Sequence, residues 1–133
     1  LGALPTGHPL NVGMLGMHGN YGPNVLTNAC DVLIAVGMRF DDRVTGRLDQ
    51  YAKQAKIIHL DIDPAEIDKN VKAHVPVWGD CKETLPLLTK LLETKTYPEW
   101  LGRFREHAQE EQSVVIEPET NPAEGPITMA EVV

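Results

Sequence analysis

The chain has 133 residues and a formal charge of −7, from 12 Lys and Arg against 19 Asp and Glu. That length matches one domain with room for a core, and 42% hydrophobic with 23% charged residues is ordinary for a soluble globular fold. The acidic balance argues against a sequence-independent grip on nucleic acid or an anionic membrane, so an anionic ligand needs local positive charge.

Two cysteines, Cys30 and Cys81, without a CxxC or paired histidines, signal neither a disulfide framework nor a zinc site, and a reducing compartment is the plain expectation. No apolar run approaches the roughly 20 residues that span a bilayer. The start, Leu1-Gly2-Ala3-Leu4-Pro5, has neither a methionine nor a basic signal region, and the chain is expected to be cut from a longer one.

The opening segment is broken by Pro5, Gly7, Pro9, Gly13, Gly16, Gly19 and Gly22 and reads as loop. Gly22-Pro23 then starts a helix that runs to about Cys30, with Val25, Leu26 and Ala29 on its apolar face. Asp31 to Val36 is the first clear strand, and its aliphatic run predicts burial on both faces. Lys56 to Ile62 is a second strand, followed by Asp63-Pro64-Ala65-Glu66, a pattern suited to a capped helix start.

Val75 to Trp78 is a third, weaker strand, and Pro76 predicts that it is short or lies at an edge. Asp80 and Glu83 repeat the capping spacing before a helix carrying Leu85, Leu88, Leu91 and Leu92. Pro98 opens a further helix with Trp100, Phe104 and Ala108 on one stripe. Prolines 118 and 122 with acidic neighbours read as a linker over 113–126, and 127–133 reads as the start of a new element. Strands alternating with helices predict an α/β fold with a partial, doubly wound parallel sheet; three strands are few for it, so preceding strands are expected in the parent.

Three places carry more polarity or glycine than a fold requires. Gly37-Met38-Arg39-Phe40-Asp41-Asp42-Arg43-Val44-Thr45-Gly46 follows the first strand directly, and in open α/β sheets ligands sit outside the carboxyl ends of strands. Arg39 and Arg43 suit a phosphate or an electron-rich ring, or else form surface ion pairs with Asp41 and Asp42 worth about 0–1 kcal/mol. Asp61 ends the second strand where an acidic side chain accepts from ribose hydroxyls, whereas Asp63 is better placed to cap; Asp80, at the third strand's end, reads first as a cap.

Glycines 13, 16, 19 and 22 recur every third residue ahead of a helix, outside the dinucleotide fingerprint, either to admit a ligand to the backbone or to turn tightly. Of histidines 8, 18, 59, 74 and 107, only His18 lies in that loop; His59 and His107 are expected to pack. No nucleophile elbow, Ser/His/Asp set or Walker motif is present, so no catalytic residue and no metal ligand is assigned.

Met14-Leu15-Gly16-Met17-His18-Gly19, the block Gly37 to Gly46, Ile57 to Asp63, and Gly79-Asp80 come in the order and spacing of the middle domain of the acetohydroxyacid (acetolactate) synthase large subunits. The chain resembles that family over nearly its whole length. The resemblance implies a Rossmann-like middle domain that holds FAD, with thiamine diphosphate and Mg2+ bound by the outer domains of the parent at a dimer interface.

It implies FAD contact by Met14, Leu15, Gly16, Met17, His18, Gly19, Gly37, Met38, Arg39, Asp61, Ile62, Gly79 and Asp80. It also places Met17, Asp42 and Arg43 beside a substrate channel. The family decarboxylates pyruvate and joins the two-carbon unit to a second pyruvate or to 2-oxobutyrate, for valine, leucine and isoleucine synthesis, without net redox change at the flavin.

From the same resemblance follow a partial FAD domain over 1–112, a linker over 113–126 and the start of a truncated thiamine-diphosphate domain over 127–133. A homodimer or tetramer of large subunits with a regulatory small subunit is expected of the parent, cytoplasmic in bacteria and plastidial or mitochondrial in eukaryotes. The isolated piece is expected to fold at least partly and to be inactive, with no nucleic-acid or membrane partner. Two other readings stand beside it: a free-standing adenine-dinucleotide-binding or regulatory module, and a packing and dimer-support domain whose arginines sit in solvated ion pairs.

Overall fold

The computed structural model describes residues 3–122 together with 125, 127 and 129. Helix α1 (Tyr21–Thr27) precedes strand β1 (Val32–Val36), the short helix α2 (Asp42–Thr45), β2 (Lys56–Asp61), β3 (Val75–Trp78), α3 (Cys81–Leu91) and α4 (Pro98–Glu111). A π-helical turn (Gln112–Ile116) and α5 (Glu117–Thr120) extend α4 without a break in chain direction, so the segment expected as linker begins helical. The element expected over 127–133 lies almost entirely outside the described residues.

The three strands form one parallel sheet in the order β1-β2-β3, an α/β arrangement consistent with a partial Rossmann-like, doubly wound fold. Leu33 pairs with Ile57 and Ala35 with His59, while Asp61 pairs with Trp78. β3 is an edge, as Pro76 requires, because proline has no N–H to give a ladder. His74, just before β3, extends the pairing: its N–H donates to the Ile57 carbonyl at 2.8 Å, and its Nδ1 accepts from Ile57 N–H at 3.1 Å.

Burial on the sheet is one-sided. Ala35 and Ile57 join Phe40, Tyr51, Ala52 and Ala55 in the core cluster, which the turns after α2 close over the sheet. The opposite face of β1 is open: Val32, Ile34 and Val36 are 47%, 48% and 45% exposed. This corrects the expectation that β1 is buried on both sides; its aliphatic run fits two covered faces, but α3 packs against β2 and leaves this face of β1 half exposed. Leu60, on that same side of β2, is buried at 1%.

Between β2 and β3 the chain turns without forming a helix. Asp63 therefore caps no helix: its Oδ1 accepts from Ala65 N–H at 2.9 Å and closes a turn, while Glu66 pairs with Lys69 at 2.7 Å. With Asp68 at φ +62°, the backbone leaves the helical region before a second turn closes. α4 packs on α1, where Tyr21 meets His107 edge to face with centroids 5.2 Å apart.

Candidate functional site

The carboxyl ends of the three strands converge. Gly37 N–H donates to the Leu60 carbonyl at 2.8 Å and Gly79 N–H to the Asp61 carbonyl at 2.9 Å, so Gly37, Asp61 and Gly79 continue the ladder along one rim. Gly37 has φ +60° with nothing within 4 Å of where a Cβ would stand, leaving open space at the tip of β1. Ile62, one residue past β2, is 64% exposed, and its carbonyl accepts from Trp78 Nε1 at 3.1 Å. Asp80 is the cap of α3, its Oδ1 accepting from Lys82 N–H at 2.8 Å, as its spacing indicated.

The block after β1 is tied together internally. Arg39 Nε and Nη2 both donate to Asp41 Oδ2 at 3.1 Å, with the arginine side chain 71% exposed. This is the surface ion pair that a purely structural reading expects, and it leaves the guanidinium at the rim. Asp41 also caps α2, its Oδ1 accepting from Arg43 N–H at 3.2 Å. Phe40, between them, is 2% exposed and holds φ +52°, a conformation that costs a non-glycine residue energy and turns its ring into the core.

The glycine loop docks on α2. Met17 N–H donates to the Arg43 carbonyl at 2.7 Å, and Arg43 Nη1 lies 3.9 Å from Met17 Sδ. Gly16, at φ +108°, has no room for a side chain, since a Cβ there would stand 2.7 Å from the Arg43 carbonyl oxygen. Gly19 is fixed for a different reason: a Cβ would strike the Met14 carbonyl as the loop closes through Asn20 N–H to that same oxygen, at 2.8 Å. His18 is exposed at the loop tip, and Met14 and Leu15 are partly buried beneath it.

A cleft of about 430 Å3 lies between loop and helix, lined by Gly16, Met17, Asn24, Asp42, Arg43 and Tyr51 among others. Met17, Asp42 and Arg43 thus share one cleft, and Gly37, Asp61 and Gly79 share one rim, with Met38 and Arg39 following Gly37, Ile62 following Asp61 and Asp80 following Gly79 in the chain. Tyr51 is 6% exposed, and burial pushes its phenol up to about 12. Its hydroxyl has no hydrogen-bond partner among the described residues.

Sequence reasoning missed the asparagines that hold the loop. Asn24 Oδ1 accepts from Gly16 N–H and its Nδ2 donates to the Gly16 carbonyl, both at 3.0 Å. Asn20 Oδ1 accepts from Met14 N–H at 3.0 Å, while Glu111 at the end of α4 accepts from Asn20 Nδ2 and from Tyr21 N–H. An asparagine pair four residues apart, opening the helix after a glycine loop, was the available signal. Among the described residues no group of three His, Cys, Asp or Glu converges as a metal site, and no helix is long and apolar enough to cross a membrane.

Residues 1–88 match the family described as "Thiamine pyrophosphate enzyme, central domain". The chain is 54% identical over 108 residues to "Probable acetolactate synthase large subunit" of Methanocaldococcus jannaschii, covering 79% of this chain and 18% of that protein. It is 52% identical over 95 residues to "Acetolactate synthase 2, chloroplastic" of Nicotiana tabacum, covering 71% of this chain and 14% of that protein. Against "Acetolactate synthase isozyme 2 large subunit" of Escherichia coli K12 the identity is 46% over 106 residues, covering 80% and 19%. The chain spans about a fifth or less of the length of these relatives. With a family match over residues 1–88 and a parallel sheet whose strand ends form one rim, the chain belongs to the central-domain family of thiamine pyrophosphate enzymes.

Proposed function

We propose that the chain is the FAD-holding central part of an acetolactate synthase large subunit. In this reading the parent decarboxylates pyruvate and joins the two-carbon unit to a second pyruvate or to 2-oxobutyrate, supplying branched-chain amino acid synthesis. The observation that carries it is the shared rim of Gly37, Asp61 and Gly79, in a chain 46–54% identical to proteins named acetolactate synthase.

The residues present fit a dinucleotide. Space stands open at the Gly37 Cβ position, Arg39 offers an exposed guanidinium at the rim, and the fully buried His59 next to Asp61 has two unpartnered ring nitrogens. Asp61, Ile62, Gly79 and Asp80 would hold the adenosine half. Met14, Leu15, Gly16, Met17, His18, Gly19, Gly37, Met38 and Arg39 would border the flavin half. FAD, when bound, supplies a planar ring and a diphosphate to this domain and no net redox chemistry.

Met17, Asp42 and Arg43 would line the path of substrate toward thiamine diphosphate and Mg2+, which belong to other parts of the parent. Arg43 offers a cation to a 2-oxo acid carboxylate, and Met17 offers an apolar wall. No residue of this chain is assigned a proton transfer. Residues 1–112 form the FAD-holding part, 113–126 connect and 127–133 enter the next domain. Large subunits would assemble as dimers or tetramers with a regulatory small subunit, in the cytoplasm of a bacterium or in a plastid or mitochondrion.

The full-length parent should form acetolactate from pyruvate only when thiamine diphosphate, Mg2+ and FAD are all supplied, and the 133-residue chain alone should form none. Turnover by the chain alone, or none by the full-length protein with all three, overturns the reading.

A further inference from the structure

His59 stands in the middle of β2 with 0% exposure, and among the described residues neither ring nitrogen has a hydrogen-bond partner. A buried polar atom without a partner is costly, and leucine or phenylalanine fills such a volume without that cost. The ring packs against Phe40, edge to face with centroids 5.0 Å apart and planes at 82°. Its Nε2 also lies 3.8 Å from Oδ2 of Asp61, two residues on and on the same face of the strand.

The Asp61 carboxylate is divided between two tasks. Oδ1 accepts from Asp63 N–H at 2.9 Å, which fixes the turn out of β2. Oδ2 faces the imidazole across a gap just beyond hydrogen-bond length, and Asp61 itself is only 7% exposed. A small rotation of the carboxylate closes that gap. With the proton on Nε2, the imidazole then donates to the inner lone pair of Oδ2 and leaves the outer one for a ligand hydroxyl.

We propose that His59 is the positioning residue for Asp61: it holds the Asp61 carboxylate from inside the sheet in the orientation that accepts a ribose hydroxyl of the cofactor, a role that rests on the FAD reading above. Phe40 sits at φ +52° directly after Arg39, so the imidazole also touches the residue that carries the rim of β1. One buried ring thereby links the two strand ends on which the cofactor is expected to lie. The arrangement follows the general pattern in which a second partner fixes the geometry of a group that touches the ligand.

The test uses the full-length protein stripped of FAD, with FAD affinity read by flavin fluorescence. His59→Leu keeps the volume and removes the nitrogens, and should weaken FAD binding about tenfold, the scale of one hydrogen bond to a charged group. His59→Gln restores a donor and should recover most of that loss. In an Asp61→Ala background, His59→Leu should have no further effect, because its action runs through Asp61.

Binding FAD should also shift the imidazole N–H resonance of His59 in selectively labelled wild type, which needs no variant to fold. Full FAD affinity in His59→Leu, an undiminished loss in the Asp61→Ala background, or a resonance unmoved by FAD each overturns the proposal while leaving the FAD reading standing. Absence of FAD binding by wild type instead overturns the FAD reading and this inference with it.

Discussion

Asn24 grips Gly16 at both ends of one residue, accepting from its N–H and donating to its carbonyl, each at 3.0 Å. This clamp matters because Gly16 passes directly beneath the Arg43 carbonyl, so the glycine loop and α2 are fixed relative to each other through one residue. Asn24→Ala removes two hydrogen bonds to a partly buried backbone and should cost about 1–3 kcal/mol of stability, read by denaturant unfolding. Gly16→Ala should do worse, since the added Cβ meets the Arg43 oxygen at 2.7 Å and φ is +108°. Asn24→Ala with wild-type stability contradicts the clamp.

Glu111 couples the end of α4 to the start of α1 from ninety residues away, accepting from Tyr21 N–H at 3.0 Å and Asn20 Nδ2 at 3.3 Å. The N-cap residue Asn20 makes no side-chain cap of α1, so Glu111 supplies the acceptor from the far end of α4. Glu111→Ala should cost about 1 kcal/mol and speed amide exchange in the first turn of α1. Glu111→Gln keeps an acceptor and should lose less. Equal losses in the two variants would contradict a capping role.

Tyr51 buries a hydroxyl without a partner, so Tyr51→Phe should leave stability unchanged or raise it by up to about 1 kcal/mol at neutral pH. The pH dependence has a definite sign. Burial raises the phenol from its ordinary 10 to about 12 in the folded state, so the folded chain holds the proton more tightly than the unfolded one. The contribution is fully present below pH 10 and is lost as pH rises toward about 12. Wild type should therefore lose stability over that range relative to Tyr51→Phe, by about 2 kcal/mol in total. Parallel curves for the two proteins would contradict it.

Arg39 and Asp41 separate under mutation although they are paired. The ion pair is exposed, so Arg39→Ala should change stability by less than about 1 kcal/mol. Asp41→Ala also removes the cap of α2 and should cost more. FAD affinity should fall several-fold in Arg39→Ala if the guanidinium turns to the cofactor. Unchanged affinity would return Arg39 to a plain surface ion pair.

Much of this was legible in the sequence because it depends on local chemistry. β3 runs over Val75–Trp78, and it is both short and at an edge, the two outcomes that Pro76 allows. Asp80 caps α3 as its spacing indicates, and Asp63 makes the same local side-chain-to-backbone bond with no helix behind it. The helix after Asp63 did not form, because a good cap is a local signal while propagation needs a packed face, and the backbone turns away at Asp68.

The open face of β1 was invisible for a related reason: Val32, Ile34 and Val36 record the environment for which the strand is suited, not what covers it here. Asn24, Glu111 and Tyr51 escaped notice since their roles depend on partners 8, 90 or more residues away or on an unpaired atom, none of which periodicity can report. A histidine in mid-strand is expected to pack, which the burial of His59 bears out but which does not account for its unpartnered nitrogens.

The measurement that bears most directly on the whole account is a competitive titration of the deflavinated full-length protein with FAD and NAD. FAD should bind stoichiometrically, NAD should fail to displace it, and Gly37→Val, which fills the open space at the tip of β1, should weaken FAD binding at least tenfold, about 1.4 kcal/mol. Preferential binding of NAD, or FAD affinity indifferent to Gly37→Val, would contradict a cofactor site built on these strand ends.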